Sequence, residues 1–311
     1  MIFKSSYPAI CAAFSFSIIA ANGGALAADD FTAQQDTPSP MAIPNFDALR
    51  FTATQTGGMD FENGPGDLSV TNFNLNAFLS RPISLTSSLT MIPMFSYSYT
   101  KLDFDKAVFP VGDEDFHSAA LQAIFIQDIA NSPWFGIGWT RAELATDYQA
   151  IGTEDVTFDV ALGVGYKVSD TFTVGAGFVV TNLGGDVEFF PGVNFFWTPC
   201  EDFTMALYGP NFLARYNMND NWFISGDIQP GGGTWNINDA QGNSRSVVLD
   251  SYWASVSTHH RICGELWFSA GIGYAFGNEI EIHGNHGTGP STSSELEGAP
   301  LAQIGLSLHD W

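Results

Sequence analysis

Residues 264–277 read Gly-Glu-Leu-Trp-Phe-Ser-Ala-Gly-Ile-Gly-Tyr-Ala-Phe-Gly, and their alternation decides the fold. Leu266, Phe268, Ala270, Ile272, Tyr274 and Phe276 fall on one face of an extended chain. Trp267, Ser269, Gly271, Gly273, Ala275 and Gly277 fall on the other. Successive side chains of a strand point to opposite faces, so this strand has a bulky apolar side and a side of mostly small residues. A membrane β-barrel needs that division, with apolar groups toward lipid and small or polar groups toward the lumen. In a soluble sandwich the small residues would be the ones meeting water, a poorer fit.

Outward from this stretch, short turns recur at 81–88, 131–133, 169–170, 198–202, 219–221 and 262–264. Between them lie connections at 58–67, 103–114, 147–154, 183–187, 209–211, 238–245 and 281–299, mostly longer and more acidic. The two sets alternate strictly, as an antiparallel barrel requires, with short turns periplasmic and long loops outside. Thirteen connections join fourteen strands, so the chain reads as an all-β, transmembrane, up-and-down antiparallel barrel of 14 strands. Residues 203–208 and 212–218 are short for a span of ~9–11 residues. They read alternatively as one kinked strand, and 12 strands is the alternative count. Strand 115–129 is apolar on both faces (Leu121, Phe125 and Ile129 against Ile124 and Ile126), so its inner face is expected to meet a plug.

Aromatic residues collect beside the short turns: Trp134, Tyr166, Phe172, Trp197, Phe203, Trp222, Trp267 and Phe268. Rings at strand ends make the interfacial girdle of a membrane barrel.

The N-terminus carries an export signal over 1–27: Lys4, an apolar core from Ala9 to Ala21, and Ala25-Leu26-Ala27 for cleavage. Residues 28–46, with Pro38, Pro40 and Pro44, read as a flexible periplasmic lead or a small lumen insert, and 47–311 as the barrel. Past the signal no run reaches the ~18–20 apolar residues of a spanning helix. A membrane location then means crossing by strands, and the bacterial outer membrane is the expected address. Outer-membrane lipid, lipopolysaccharide and the barrel-assembly machinery are the expected partners, the last through the terminal Trp311. The alternation of Ala302, Ile304, Leu306 and Leu308 is out of step with that residue.

Charged residues make up only 14% of the chain and aromatics another 14%, which excludes disorder and suits a surface that meets lipid. Beyond the signal, 33 acidic residues face 9 basic ones once Lys4 is removed, a formal charge of −24. Such an excess repels nucleic acid and anionic headgroups. Cys200 and Cys263 fall in turns several strands apart and read as two free thiols.

Pro210 with Leu213-Ala214-Arg215-Tyr216, then Gly226, Gly231-Gly232-Gly233-Thr234-Trp235, Asp250 with Tyr252, and Gly271-Ile272-Gly273-Tyr274-Ala275-Phe276 form a recurrent set. On these residues the chain resembles an uncharacterised family of outer-membrane β-barrel proteins, clearly over its C-terminal third. The resemblance implies the barrel fold and no particular activity.

Few residues carry recognisable chemistry. The glycine pairs Gly136/Gly138, Gly163/Gly165, Gly175/Gly177 and Gly271/Gly273 lead into no helix, so they read as lumen space or curvature rather than a phosphate cradle. His259 and His260 point to opposite faces, which disfavours a joint metal site, while His283 and His286 lie in a glycine-rich loop that reads as solvated first and as a two-imidazole metal site second. Ser257 and His259 share a strand face without any nucleophile motif. No catalytic residue, metal or cofactor is assigned. Within the wall Arg50, Arg141, Lys167 and Arg215 lie among Glu143, Asp159, Glu188 and Asp227. A basic residue facing lipid near the midplane costs about 2–4 kcal/mol, so these charges belong to a wet or paired lumen. Asp103, Asp105, Asp113, Glu114 and Asp115 crowd one outer loop, with Asp60, Glu62, Asp67, Glu154, Asp155, Glu279, Glu281, Glu295 and Glu297 in others. They read as a solvated surface, or as a negative vestibule that concentrates cations.

Fourteen strands leave a narrower lumen than the sixteen to eighteen of aqueous porins. The expected function is therefore a porin-like channel for small solutes, passive or weakly cation-preferring, with an acidic extracellular mouth. A non-conducting adhesin or envelope scaffold, and a secreted carbohydrate-binding sandwich, are the alternatives.

Overall fold

The computed structural model describes residues 47–105, 114–148, 151–152, 155–183, 186–238, 244–284 and 291–309. The export signal, the 28–46 lead, Asp113, Glu154, His286 and Trp311 lie outside the described residues. The strands are, in order, β1 (Leu49–Thr56), β2 (Met59–Asp60), β3 (Asp67–Phe78), β4 (Ile83–Ser84), β5 (Leu89–Asp105) and β6 (Glu114–Asp128). Then come β7 (Trp134–Thr146), β8 (Val156–Ser169), β9 (Phe172–Leu183), β10 (Asp186–Cys200), β11 (Phe203–Tyr208) and β12 (Asn211–Asn219). The chain closes with β13 (Trp222–Pro230), β14 (Gly233–Asn238), β15 (Ser244–Cys263), β16 (Leu266–Gly284), β17 (Ser291–Leu296) and β18 (Ala299–Leu308).

Fourteen of these form the wall, and β2, β4, β14 and β17 are short extensions of its hairpins. Each wall strand pairs antiparallel with the next, from β1 to β3, through β5 to β13, then β15, β16 and β18. The ring closes where β18 returns to β1, from Leu49↔Leu308 to Thr56↔Leu301. Closure leaves no unpaired edge, which a span through hydrocarbon demands. β11 and β12 are separate strands joined by a tight turn at Gly209-Pro210, where Gly209 has φ +56°. The count is therefore fourteen, and the twelve-stranded alternative falls.

The faces divide as the 264–277 pattern requires. Ile272 is 74% exposed and Tyr274 and Phe276 also face out, whereas Ala275 and Trp267 are buried inside. Phe158, Leu162 and Val164 repeat the outward face on β8, with Phe158 67% exposed. This exterior is a hydrocarbon-facing belt, which rules out the soluble sandwich. Trp134 over Tyr166 (ring centroids 4.7 Å apart), Trp197 and Phe268 ring the short-turn end. Trp267 does not belong to that girdle. It shares parity with Ser269 and Gly271, so it points inward and stacks on His309 at 4.8 Å. Toward the other end an outward aromatic ladder crosses four strands through Phe51, Phe73, Tyr99 and His117 and ends on Tyr148.

Above this belt the polarity of the two faces exchanges. On β3 the inward residues are Asn72, Asn74 and Asn76 in the lower part but Leu68 and Val70 above. On the same strand the outward residues change from Phe73 to Thr71, Ser69 and Asp67. Leu102 on β5, Phe116 on β6, Ile280 and Ile282 on β16 and Leu296 on β17 join the upper inward face, all buried. On β16 the exchange coincides with Gly277 at φ +61° and an irregularity opposite Asp250–Tyr252. β15 and β16, at 20 and 19 residues, exceed the ~9–11 of a span, so their excess stands above the membrane. Residues 281–284 and 291–296, expected in a loop, are paired strands of this extension.

The glycine pairs leave space for neighbours. Gly163, Gly177 and Gly192 lie side by side across β8, β9 and β10. Phe135 lies across Gly165, where an added Cβ would fall 2.1 Å from its ring. A ring covering a strand glycine restores contact that the missing side chain forfeits.

Candidate functional site

A polar cavity under an apolar lid occupies the lumen. The lid is the hairpin of β14 and the start of β15. At Gly231-Gly232 the chain leaves the wall and turns inward. A Cβ on Gly231 would strike the Trp253 ring at 2.1 Å, and one on Gly232 the Leu249 carbonyl oxygen at 1.6 Å. Only glycine passes there. β14 then crosses the lumen to the opposite wall, where Trp235 stacks on Phe116 (4.7 Å, 10°) and Asn236 bridges Thr146. Its apolar face, with Trp235, Ile237, Val247 and Leu249, packs against Leu68, Val70, Leu102, Ile280 and Ile282. Its other face is polar and looks down into the cavity: Thr234, Asn236 and Ser246, with Ser246 Oγ donating to Asn236 Oδ1 at 2.7 Å. The described ends of the outer loop read as 238–245 belong to this hairpin, with Asn238 of β14 paired to Ser244 of β15.

Below the lid lies a cavity of about 460 Å³. Of the charges assigned to the lumen, Arg50, Arg141, Glu143, Asp159, Arg215 and Asp227 all line it. Lys167 does not. Its strand face is the inner one, but it sits at the short-turn rim and pairs with Asp170 at 2.9 Å. The side chain of Glu188 lies outside the described residues. Asp155, expected on an outer loop, is buried at the cavity edge, where its carboxylate accepts from the Gly152 amide at 2.8 Å.

Three groups of charge divide the lining. Arg141 on β7 pairs with Glu143 and lies 3.5 Å from Asp159 on β8, which also accepts from the Thr181 hydroxyl. At the short-turn rim Arg50 meets Asp47 at 2.6 Å, and His309 lies 2.9 Å from the same carboxylate. Burial alone would raise the Asp47 carboxyl, but Arg50 and His309 outweigh it and hold the group below its ordinary value. Between these groups Asp227 accepts from Ser255 at 2.8 Å, and Arg215 lies over the Phe223 ring at 3.5 Å. In all, five carboxylates (Asp47, Glu143, Asp155, Asp159, Asp227) face three guanidiniums (Arg50, Arg141, Arg215).

Residue spacing alone does not show Asp47, Phe223, Trp267 or His309 as parts of this floor. Their only signal is inward parity close to a rim. The buried set of Ile92, Met94, Ile124, Ile126 and Trp139 lines the inner face of β5 to β8, and it accounts for the two-sided apolar character of 115–129. Ser257 and His259 do share a face but do not meet: His259 Nε2 lies 2.9 Å from Ser225 Oγ, while Ser257 accepts from Gln303 at 2.6 Å. His260 faces out and stacks on Trp222. Cys200 and Cys263 are free and exposed at two short turns.

Outside the belt the acidic residues form a continuous outward face on paired strands. Asp103 and Asp105 at the end of β5 and Asp115 at the start of β6 lie on this face, with Asp115 accepting from Tyr99 Oη at 2.7 Å, whereas Glu114 shares the inward parity of Phe116. On the other side Glu62 is raised above its ordinary value chiefly by Glu295, and Glu279 by partial burial and then by Glu281.

The family model described as Domain of unknown function (DUF6268) matches residues 53–306. No curated relative matches the chain. Among solved structures the chain is similar to the COG4313 outer membrane channel from Pseudomonas putida F1, at 10% identity and TM-score 0.45, over 88% of this chain and 100% of that one. The NanC porin matches at 6% identity and TM-score 0.36, over 84% and 99%. The deltaS2 mutant of the TodX monoaromatic hydrocarbon channel matches at 10% and 0.35, over 85% and 90%.

Proposed function

This chain belongs to the DUF6268 family of domains of unknown function, and we propose that it is an outer-membrane channel for small polar solutes, shut at its outer end by a movable hairpin. One observation carries the reading: a polar, charged cavity inside a closed ring, roofed by a hairpin whose lower face is polar and whose upper face is apolar. A barrel serving only as a scaffold has no need of charged residues in its lumen, where burial is costly. The excess of carboxylates over guanidiniums supports a weak preference for cations. The hydrocarbon-facing belt supports the outer-membrane address, since a closed barrel is the strand solution to spanning.

The same closure favours a second reading, in which the barrel never conducts and presents its acidic outer face as a scaffold. Planar-bilayer recording separates the two. Wild-type protein is expected to show brief, small openings with a modest cation preference. Trp235→Ala, which removes the stack on Phe116, should raise the open fraction several-fold. Silence from both proteins, each shown to be folded by its unheated gel mobility, would reject the channel and leave the scaffold.

A further inference from the structure

We propose that Arg215 anchors a binding site for a small organic monocarboxylate within the lumen. Among the three described arginines of the cavity, Arg50 has Asp47 and Arg141 has Glu143 and Asp159 within ion-pair distance. Arg215 has no such partner among the described residues, although it is only 7% exposed. The carboxylates that share its cavity stand beyond ion-pair distance, and a buried cation without a contacting counter-charge is costly, so a ligand that brings a carboxylate into contact lowers that cost.

The guanidinium is also held in a fixed plane. Its carbon lies 3.5 Å from the centre of the Phe223 ring, and the His259 ring stacks on the same phenyl at 4.1 Å and 11°. Two groups cannot share one face at those distances, so Phe223 is sandwiched between them. Nε donates to Asn217 Oδ1 at 2.9 Å, which fixes rotation within the plane. The two terminal nitrogens remain as a fork, and Arg215 lines the cavity. A planar fork matches the two oxygens of a carboxylate. The cavity, about 460 Å³, lies within the range of small-molecule pockets. Asp47 and Asp227 line the same space and would repel a second negative charge on the ligand, hence a monoanion.

The site rests on the channel reading only in treating its occupant as a passing solute. Its test needs no conduction. Sodium propionate is titrated into the full chain in detergent micelles, with binding followed by ligand-observed NMR. Saturable binding is expected for wild type and for the rim variant Arg81→Gln. Arg215→Gln should bind about tenfold to a hundredfold more weakly, with Arg215→Lys intermediate and succinate weaker than propionate. The proposal is overturned by no saturable binding, by Arg215→Gln binding like wild type, by full affinity in Arg215→Lys, or by equal displacement with inorganic phosphate. Binding in a protein silent in bilayers would keep the site and reject the channel; conduction without binding would do the reverse.

Discussion

At the scale of single residues, the wall is set by what each inward position must make room for. Gly165 and Gly192 look alike in sequence but differ in surroundings, since a Cβ meets the Phe135 ring at the first and nothing within 4 Å at the second. Gly165→Val should therefore destabilise the barrel by about 1–3 kcal/mol through overpacking, while Gly192→Ala should change it little. Urea unfolding in lipid vesicles measures both, and equal effects would refute the argument. Arg141 holds Glu143 and Asp159 in one buried group. Arg141→Met strands two like charges and should cost about 3 kcal/mol in the same assay, most of it recovered in the triple change that also makes Glu143→Gln and Asp159→Asn. The cost of a charge facing lipid pointed eight wall charges inward, and six of them line the cavity. It could not supply their partners: Lys167 shares Asp159's face yet binds Asp170, because height along the strand decides who meets whom.

At the scale of elements, the alternation of short turns with acidic connections was enough to give all fourteen strands. A short turn is written in Asn, Asp, Gly and Pro, and those residues are visible without a structure. The extension above the belt was not visible, because strict period two was assumed to carry one polarity throughout. The signal exists in β3, where the apolar residues change parity between Leu68-Val70 and Phe73-Leu75. Only hydrocarbon below and water above explains such a switch within one uninterrupted strand. Substitution by position should report it. Ile272→Lys, in the middle of the belt, is expected to cost about 2–4 kcal/mol in vesicles, and Ser69→Lys, above it, about 0–1. Similar costs at both sites would show that the boundary has been misplaced. The lid escaped sequence reading for a different reason: Gly231-Gly232-Gly233 is a turn signal, but a turn signal does not say that the chain crosses to the far wall.

At the scale of the whole molecule, the outer extension holds like charges close together. Glu62 beside Glu295, and Glu279 beside Glu281, have carboxyls raised in the folded state. A raised carboxyl binds its proton more tightly folded than unfolded. Its contribution is fully present below the unfolded value near 4.5 and is lost as pH rises through the raised folded values. The extension should hence be tighter at pH 5 than at pH 8. Amide exchange at Ile280 and Ile282, corrected for intrinsic rates, is expected to be slower at the lower pH, and no difference would show that the repulsion is screened away.

The two sulfhydryls at the rim opposite the acidic face give the molecule a built-in compass. A maleimide too bulky to enter cells should leave Cys200 and Cys263 untouched on living bacteria and label both once the envelope is breached, whereas a barrel inserted upside down would react at once.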